Sequence, residues 1–199
     1  MKALVVLDFE TSGMSPETGA RPTEIGMVRI EQGKIVARFQ SLMNPRMRIP
    51  LEIQNLTGIT QAMADQAPSI AKVMQQAAMF AKDAALVAHN ANFDRKFWQA
   101  ELAQLGIAHQ QDFLCTLLLA RRVFPMAESH SLSNLIRYLN LPISGQAHRA
   151  QADADATAHL LLRMLADLSQ RYPHAVLSLA NLLRLQQTSR HKITAASFR

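Results

Sequence analysis

Two acids stand where a buried strand should end. Asp8 and Glu10 follow the apolar run ALVVL (3–7) and lie two residues apart, so on a strand both side chains leave the same sheet face. Ionised carboxylates held that close repel each other unless a cation neutralises them, which makes a hard metal such as Mg²⁺ their natural partner. A solvent-facing strand end is the other reading of the same pair. Asp94 lies four residues after ALVAHN (85–90), in the first turn of a helix, where an acid also suits the helix dipole. Ligands of open α/β sheets bind at the carboxyl ends of strands, so Asp94 can meet Asp8 and Glu10 there. Asp153 opens an alanine-rich helix in HRAQADADA (148–156), whose Ala150, Ala152, Ala154 and Ala156 permit close approach to a sheet. Asp155 sits about 200° further round that helix and must face elsewhere. His148 can share a site with Asp153 if it lies in the loop before the helix, and a histidine so placed can serve as a general base near neutral pH.

Positioning these residues requires a particular run of elements. Residues 3–9 read as a buried central strand, and residues 11–22, with Gly13, Pro16, Gly19 and Pro22, as a loop. TEIGMVRIE (23–31) and KIVARFQSL (34–42) form a hairpin around Gln32 and Gly33. Ile70, Val73, Met74, Ala77 and Ala81 recur at helical spacing after Pro68, and a buried strand, AALVAHN (84–90), follows. Asn92 is placed to cap the next helix, whose apolar face carries Phe93, Phe97, Trp98, Leu102 and Leu105 and which stops at Gly106. A short strand at 112–115 and helices over 117–124, 131–140, 150–169 and about 175–187 complete the chain. Three leading strands followed by alternating helices and strands predict an α/β fold, a mixed sheet flanked by helices.

With 199 residues the chain suits one domain with a sizeable core. Apolar residues make up 49% and charged residues 18%, which excludes disordered and low-complexity classes. The lone Cys115 excludes a disulfide scaffold and a cysteine-rich zinc module, and suits a reducing setting. The first apolar run is too short for a signal segment and nowhere are there 18 consecutive apolar residues, so a cytoplasmic protein with no membrane partner is expected. Net charge is +6, and it is concentrated beyond residue 160, where Arg163, Arg171, Arg184, Arg190, Lys192 and Arg199 face only Asp167. Such a basic end suits a polyanion partner, a protein dock or simply a solvated helix face. We therefore expect a domain at 1–170 and a basic helical extension at 171–199.

The segments DFETSG (8–13), HNANFD (89–94) and HRAQAD (148–153), in this order and context, resemble the three motifs of the DEDDh (DnaQ-like) 3′-to-5′ exonucleases over about residues 3–170. A tyrosine-type relative would carry Tyr at the position of Arg149. The resemblance implies a ribonuclease H-like mixed five-stranded sheet flanked by helices, with Asp8, Glu10, Asp94 and Asp153 holding two Mg²⁺ or Mn²⁺ ions. It further implies that Asp8 bridges the ions, that Glu10 and Asp153 complete the nucleophile side, that Asp94 holds the other ion largely through water, and that His148 takes the proton from water. Two ions about 4 Å apart can activate water and stabilise a leaving 3′ oxygen. LTGIT (56–60) is similar to the family element beside the terminal base. By the same likeness Thr11, Met14, Thr57, Ile59, Asn90 and Phe93 are expected substrate contacts, although Met14, Phe93 and Ile59 suit a core equally well and some relatives carry His at the position of Thr57. The expected substrate is a single-stranded 3′ end, cut to nucleoside 5′-monophosphates, with DNA favoured in proofreading or repair. An exoribonuclease of ribonuclease T or oligoribonuclease type is the alternative, and a nucleic-acid-binding or scaffold subunit is the alternative of another class. Related enzymes include monomers, dimers and polymerase subunits, so a homodimer and a DNA polymerase or repair partner stay open. Arg184, Arg190 and Lys192 are the expected phosphate contacts of the basic extension.

Overall fold

The structure, a computed structural model, describes residues 3–108, 110–142 and 148–198. Its centre is a five-stranded sheet in the order β3-β2-β1-β4-β5. The strands are β1 (Leu4–Thr11), β2 (Pro22–Glu31), β3 (Lys34–Leu42), β4 (Ala85–Ala88) and β5 (Phe113–Cys115). β1, β2 and β3 are antiparallel neighbours, whereas β4 and β5 run parallel to β1. The mixed sheet expected from the order of elements is therefore present.

β1 reads as an unbroken apolar run because both its faces are covered. Leu4 and Val6 join Val28, Ile30, Val87 and Leu114 under the later helices, while Val5, Leu7 and Phe9 join Ile25, Met27 and Leu86 on the opposite face. Burial of each large aliphatic side chain stabilises the fold by about 1.5–3 kcal/mol. The first face is covered by α5 (Thr116–Val123), α6 (Leu132–Leu139), α7 (Ala150–Arg171) and α8 (Leu179–Gln187), and the second by α3 (Ile70–Phe80) and α4 (Asn92–Gln104). Asp8 and Glu10 continue the Leu4 and Val6 side, where the wall of side chains gives way at the strand end.

Three local details differ from the sequence expectation. Asn92 does not cap α4: the cap position is Ala91, and the Asn92 side chain instead accepts a hydrogen bond from Arg95. The helix after α7 starts at Leu179 rather than near 175, because the Ser178 hydroxyl accepts the Asn181 N–H and caps it there. Two short helices, α1 (Leu51–Thr57) and α2 (Gln61–Asp65), occupy the stretch after the hairpin, where one or two turns are too few to show a period.

The chain beyond residue 170 packs on the sheet edge. Gln186 of α8 accepts the Cys115 N–H of β5 at 2.7 Å, Phe198 is buried in the main core, and the Tyr172 and Phe198 rings lie 4.9 Å apart. Among the described residues no helix is long and apolar enough to cross a membrane.

Candidate active site

β1 is longer than the neighbour beside it, and the site begins there. The β1 to β4 pairing ends at Val6 and Val87, so the Phe9 N–H, three residues on, extends past β4. Asp94, in the first turn of α4, supplies the missing acceptor at 3.1 Å. This hydrogen bond anchors a buried carboxylate on the backbone of Phe9, the residue between Asp8 and Glu10. Burial pushes the Asp94 carboxyl up to about 7 even though the Phe9 N–H opposes the shift.

The other wall is the start of α7. His148 holds a left-handed backbone, φ 61°, just before the helix, and its N–H donates to Asp153 Oδ2 at 3.0 Å. The imidazole and the two carboxylates of Glu10 and Asp153 each present a ligand atom within 4.8 Å of the others. Asp155 points away, onto Arg38 of β3 at 2.7 Å, as helical geometry requires. Burial, then the charges of Asp94, Asp153, Glu10 and Glu24, hold the Asp8 carboxyl well above its ordinary range. Burial, then Asp153, Glu24 and Asp94, push Glu10 to about 8. Burial also raises Asp153, against the His148 N–H and ring.

This donor set fits a divalent cation. Carboxylates that burial lifts above their ordinary values, with Asp8 and Glu10 raised further by neighbouring acids, need positive charge to stay ionised at neutral pH, and oxygen ligands suit a hard ion such as Mg²⁺. The nearby cation that lowers Glu10, Arg149, is already engaged by Glu24.

Glu24 and Arg149 are site-building residues that sequence spacing did not reveal. Glu24 lies on β2 directly opposite Glu10 in the ladder and is fully buried. It accepts Arg149 Nε at 3.0 Å, Arg149 Nη2 at 2.8 Å, the Ala150 N–H at 3.0 Å and Gln40 Nε2 at 2.8 Å. Burial alone would raise this carboxyl, but these bonds outweigh it and hold it below its ordinary value. Two residues on, Gly26 leaves room for α7: a Cβ there would sit 2.3 Å from the Ala150 backbone. The available signals were an acid inside an apolar strand and a glycine two residues later.

The remaining expected contacts divide by exposure. Met14 is 81% exposed and Asn90 is exposed in a left-handed backbone, φ 65°. Phe93 is half-buried and stacks on Phe97 at 5.1 Å. Thr11, Thr57 and Ile59 are buried. The Thr11 hydroxyl donates to the Gly13 carbonyl, the Thr57 hydroxyl donates to Ile53 O and accepts the Ile59 N–H, and Ile59 packs on Ile49 and Ala64. His89, the first residue of HNANFD, is structural: Nε2 donates to the His130 carbonyl, so Nδ1 accepts the Thr116 hydroxyl. Burial lowers its pKa to about 4, which keeps it neutral.

Sequence spacing also passed over the loop Asn44–Pro50. Met47 is tied to the end of β1 by the Ser12 hydroxyl, and Arg46 and Arg48 on either side are exposed. In the C-terminal region Arg184 bonds to Asn181 and to the Ser197 carbonyl, and Lys192 is exposed in a short 3-10 turn, Arg190–Lys192. The side chain of Arg190 and all of Arg199 lie outside the described residues.

A mixed sheet in this order, with carboxylates at the end of its central strand and a histidine entering the last long helix, defines a nuclease of ribonuclease H-like architecture. A sequence model of the exonuclease family, RNase_T, matches residues 5–161. The chain belongs to this family, as a DEDDh (DnaQ-like) member. It is 41% identical over 170 residues to a DNA polymerase III subunit epsilon-like protein of Rhodobacter capsulatus, covering 84% of this chain and 24% of that protein. It is 37% identical over 185 residues to the 3′-5′ exonuclease DinG of Bacillus subtilis, covering 92% of this chain and 19% of that one. The chain thus spans a quarter or less of these two curated relatives. Exonuclease X in complex with 5′ overhanging duplex DNA superposes with a TM-score of 0.70 at 27% identity, covering 90% of this chain and 99% of that one. Exonuclease I, at 18% identity and a TM-score of 0.72, covers 87% of this chain and 42% of that one and shares the fold.

Proposed function

We propose that this chain hydrolyses phosphodiester bonds from single-stranded 3′ ends, releasing nucleoside 5′-monophosphates with the help of two Mg²⁺ or Mn²⁺ ions. The observation that carries the reading is the meeting of Glu10, Asp153 and His148 within 4.8 Å beside Asp8 and Asp94. Asp8, Glu10, Asp94 and Asp153 are the residues that would hold the ions. Divalent cations, when held by these carboxylates, would supply a water of lowered pKa and charge to stabilise the phosphate and the departing 3′ oxygen. The imidazole of His148 accepts the proton of the attacking water, and the bond from the His148 backbone N–H to Asp153 fixes the chain position from which the ring acts. Asp94, locked on the Phe9 N–H, keeps its carboxylate turned toward Asp8.

DNA is the favoured substrate, in proofreading or repair in a cytoplasmic setting. Curated relatives carry the names of DNA polymerase III proteins, and the solved structure at 27% identity holds DNA. The exposed Met14 and Met47 offer apolar surface to bases, and Arg46 and Arg48 offer charge to phosphates. A DNA polymerase or repair protein is the partner class these relatives support.

The test is a ladder assay on 5′-labelled single-stranded DNA and matched RNA with Mg²⁺, Mn²⁺ or EDTA, with Asp8→Ala as control. Shortening from the 3′ end that needs metal, is lost in the variant and is faster on DNA is the expected result. Faster loss of RNA would move the chain to the exoribonuclease class. Binding of both without cleavage by the folded protein would make it a binding subunit.

A further inference from the structure

We propose that Glu24 and Arg149 are a positioning pair that holds the general base and one acid of the site in register with the sheet. The inference rests on the exonuclease reading and extends it to two residues that touch neither water nor substrate in the mechanism above. Glu24 has the features of a device rather than a ligand. Both its oxygens are taken by four hydrogen bonds from Arg149, Ala150 and Gln40, so no lone pair is left facing the cluster.

What Glu24 grips is the entry to α7. That helix has no side-chain cap of its own at Arg149, and the Glu24 carboxylate accepts the first helical N–H, that of Ala150. The sheet thus caps the helix from outside, and Gly26 lets the backbones close. The fork of Arg149 adds two parallel bonds, which fix direction as well as distance. From this anchor the chain runs one residue back to His148 and one helical turn on to Asp153, whose N–H bonds to the Arg149 carbonyl while its Oδ2 receives the His148 N–H. Because Glu24 is the ladder partner of Glu10, one β-bridge relates the anchor to the acid that His148 and Asp153 must meet. A displacement of about 1 Å at such a site costs on the order of 100-fold in rate.

Arg149 also resolves an electrostatic conflict. Glu10 and Glu24 are like charges at directly opposed positions, an unfavourable pairing. The guanidinium pairs with Glu24 at 2.8 Å and so offsets that carboxylate's charge at the position opposite Glu10.

The variants Glu24→Gln and Arg149→Lys test this in the full chain, with Arg38→Gln as control. Arg38 makes another ion pair between the sheet and α7, to Asp155, outside the cluster. Each protein is compared at a temperature where circular dichroism shows it folded, for turnover of a labelled oligonucleotide and for Mn²⁺ binding by calorimetry. In Glu24→Gln, kcat falls at least 10-fold with KM within about 3-fold, and Mn²⁺ binds about 10-fold more weakly. Arg149→Lys keeps the charge, loses the fork and lies between that variant and wild type. Arg38→Gln stays within about 2-fold of wild type on both readouts. A folded Glu24→Gln protein with wild-type kcat and Mn²⁺ affinity, or one changed only in melting temperature, overturns the proposal. If the wild type cleaves nothing while Mn²⁺ binding still falls in Glu24→Gln and not in Arg38→Gln, the positioning role stands and the exonuclease reading fails.

Discussion

At the scale of single residues the site is a set of acids whose ionisation is opposed first by burial and, at Asp8 and Glu10, by neighbouring acids, beside a histidine exposed at the helix entry. Asp94 and Asp153 each receive a backbone N–H, from Phe9 and His148, which orients them without satisfying their charge. His148 is exposed at the helix entry, whereas His89 is locked between Thr116 and His130. The two histidines therefore have opposite expected responses. Replacing His148 with Ala lowers kcat by about 10²–10⁴-fold, the usual contribution of a general base, with little change in oligonucleotide KM. Replacing His89 with Ala lowers the melting temperature first, because two buried hydrogen bonds are lost. Steady-state kinetics set beside thermal melts of both variants check the pair. Spacing put Asp8 and Glu10 on one strand face and allowed Asp94, Asp153 and His148 to reach them, and the likeness of the three motifs to the DEDDh family singled the five out. Glu24 was not, because its meaning lies in a ladder partner and a helix start 125 residues away in sequence.

At the scale of elements, β1, α4 and the start of α7 each deliver acids to one place, and the assembly has a pH signature. Glu10 moves from an ordinary 4.5 to about 8, and Asp94 from 3.8 to about 7. Below their ordinary values these groups are protonated in both folded and unfolded chains. Between the ordinary and raised values only the folded chain keeps the proton, so it binds more protons and its stability falls as pH rises through that window. Glu24 has the opposite sign: its folded carboxyl lies below the ordinary value, so its contribution is present above that value and is lost in acid. Metal-free protein should accordingly melt at lower temperature at pH 8 than at pH 5.5, and Mg²⁺ should recover most of the difference at pH 8. Asp8→Asn should flatten the pH dependence and weaken the Mg²⁺ response. Differential scanning calorimetry with EDTA or Mg²⁺ measures all three. A metal-free melting temperature that does not change across this range would mean that burial and neighbouring charge do not hold the acids above their ordinary values.

At the scale of the whole molecule, two basic regions compete as the path for a polyanion. The C-terminal region holds most of the net charge, but Arg184 is bonded to Asn181 and Ser197, and α8 is attached to the β5 edge through Gln186. Arg46 and Arg48 are fewer, but their loop touches the end of β1 through Met47 and Ser12. Charge near the cleaved end contributes most to grip on a short strand. The double variant Arg46→Ala/Arg48→Ala should therefore weaken oligonucleotide binding and flatten its salt slope by up to about two counterions. Arg184→Ala/Lys192→Ala should change the slope less. Fluorescence anisotropy across a salt series, in Ca²⁺ to limit turnover, makes the comparison, and the reverse ranking would place the path along the C-terminal helix.

The sequence by itself determined the mixed sheet and the long helices that cover it, because an apolar period and a turn residue are local features. The five candidate site residues came from acids placed at element ends together with the likeness of DFETSG, HNANFD and HRAQAD to the DEDDh motifs. Only the tertiary structure decided which apolar residues of LTGIT face inward, where the short helices α1 and α2 form, and that Asp94 completes the hydrogen bonding of β1. It alone paired Glu24 with Arg149 and placed Gln186 on β5. These contacts join residues far apart in the chain, and nothing in a local pattern specifies which distant donor will meet a given buried acceptor until the sheet and helices have packed.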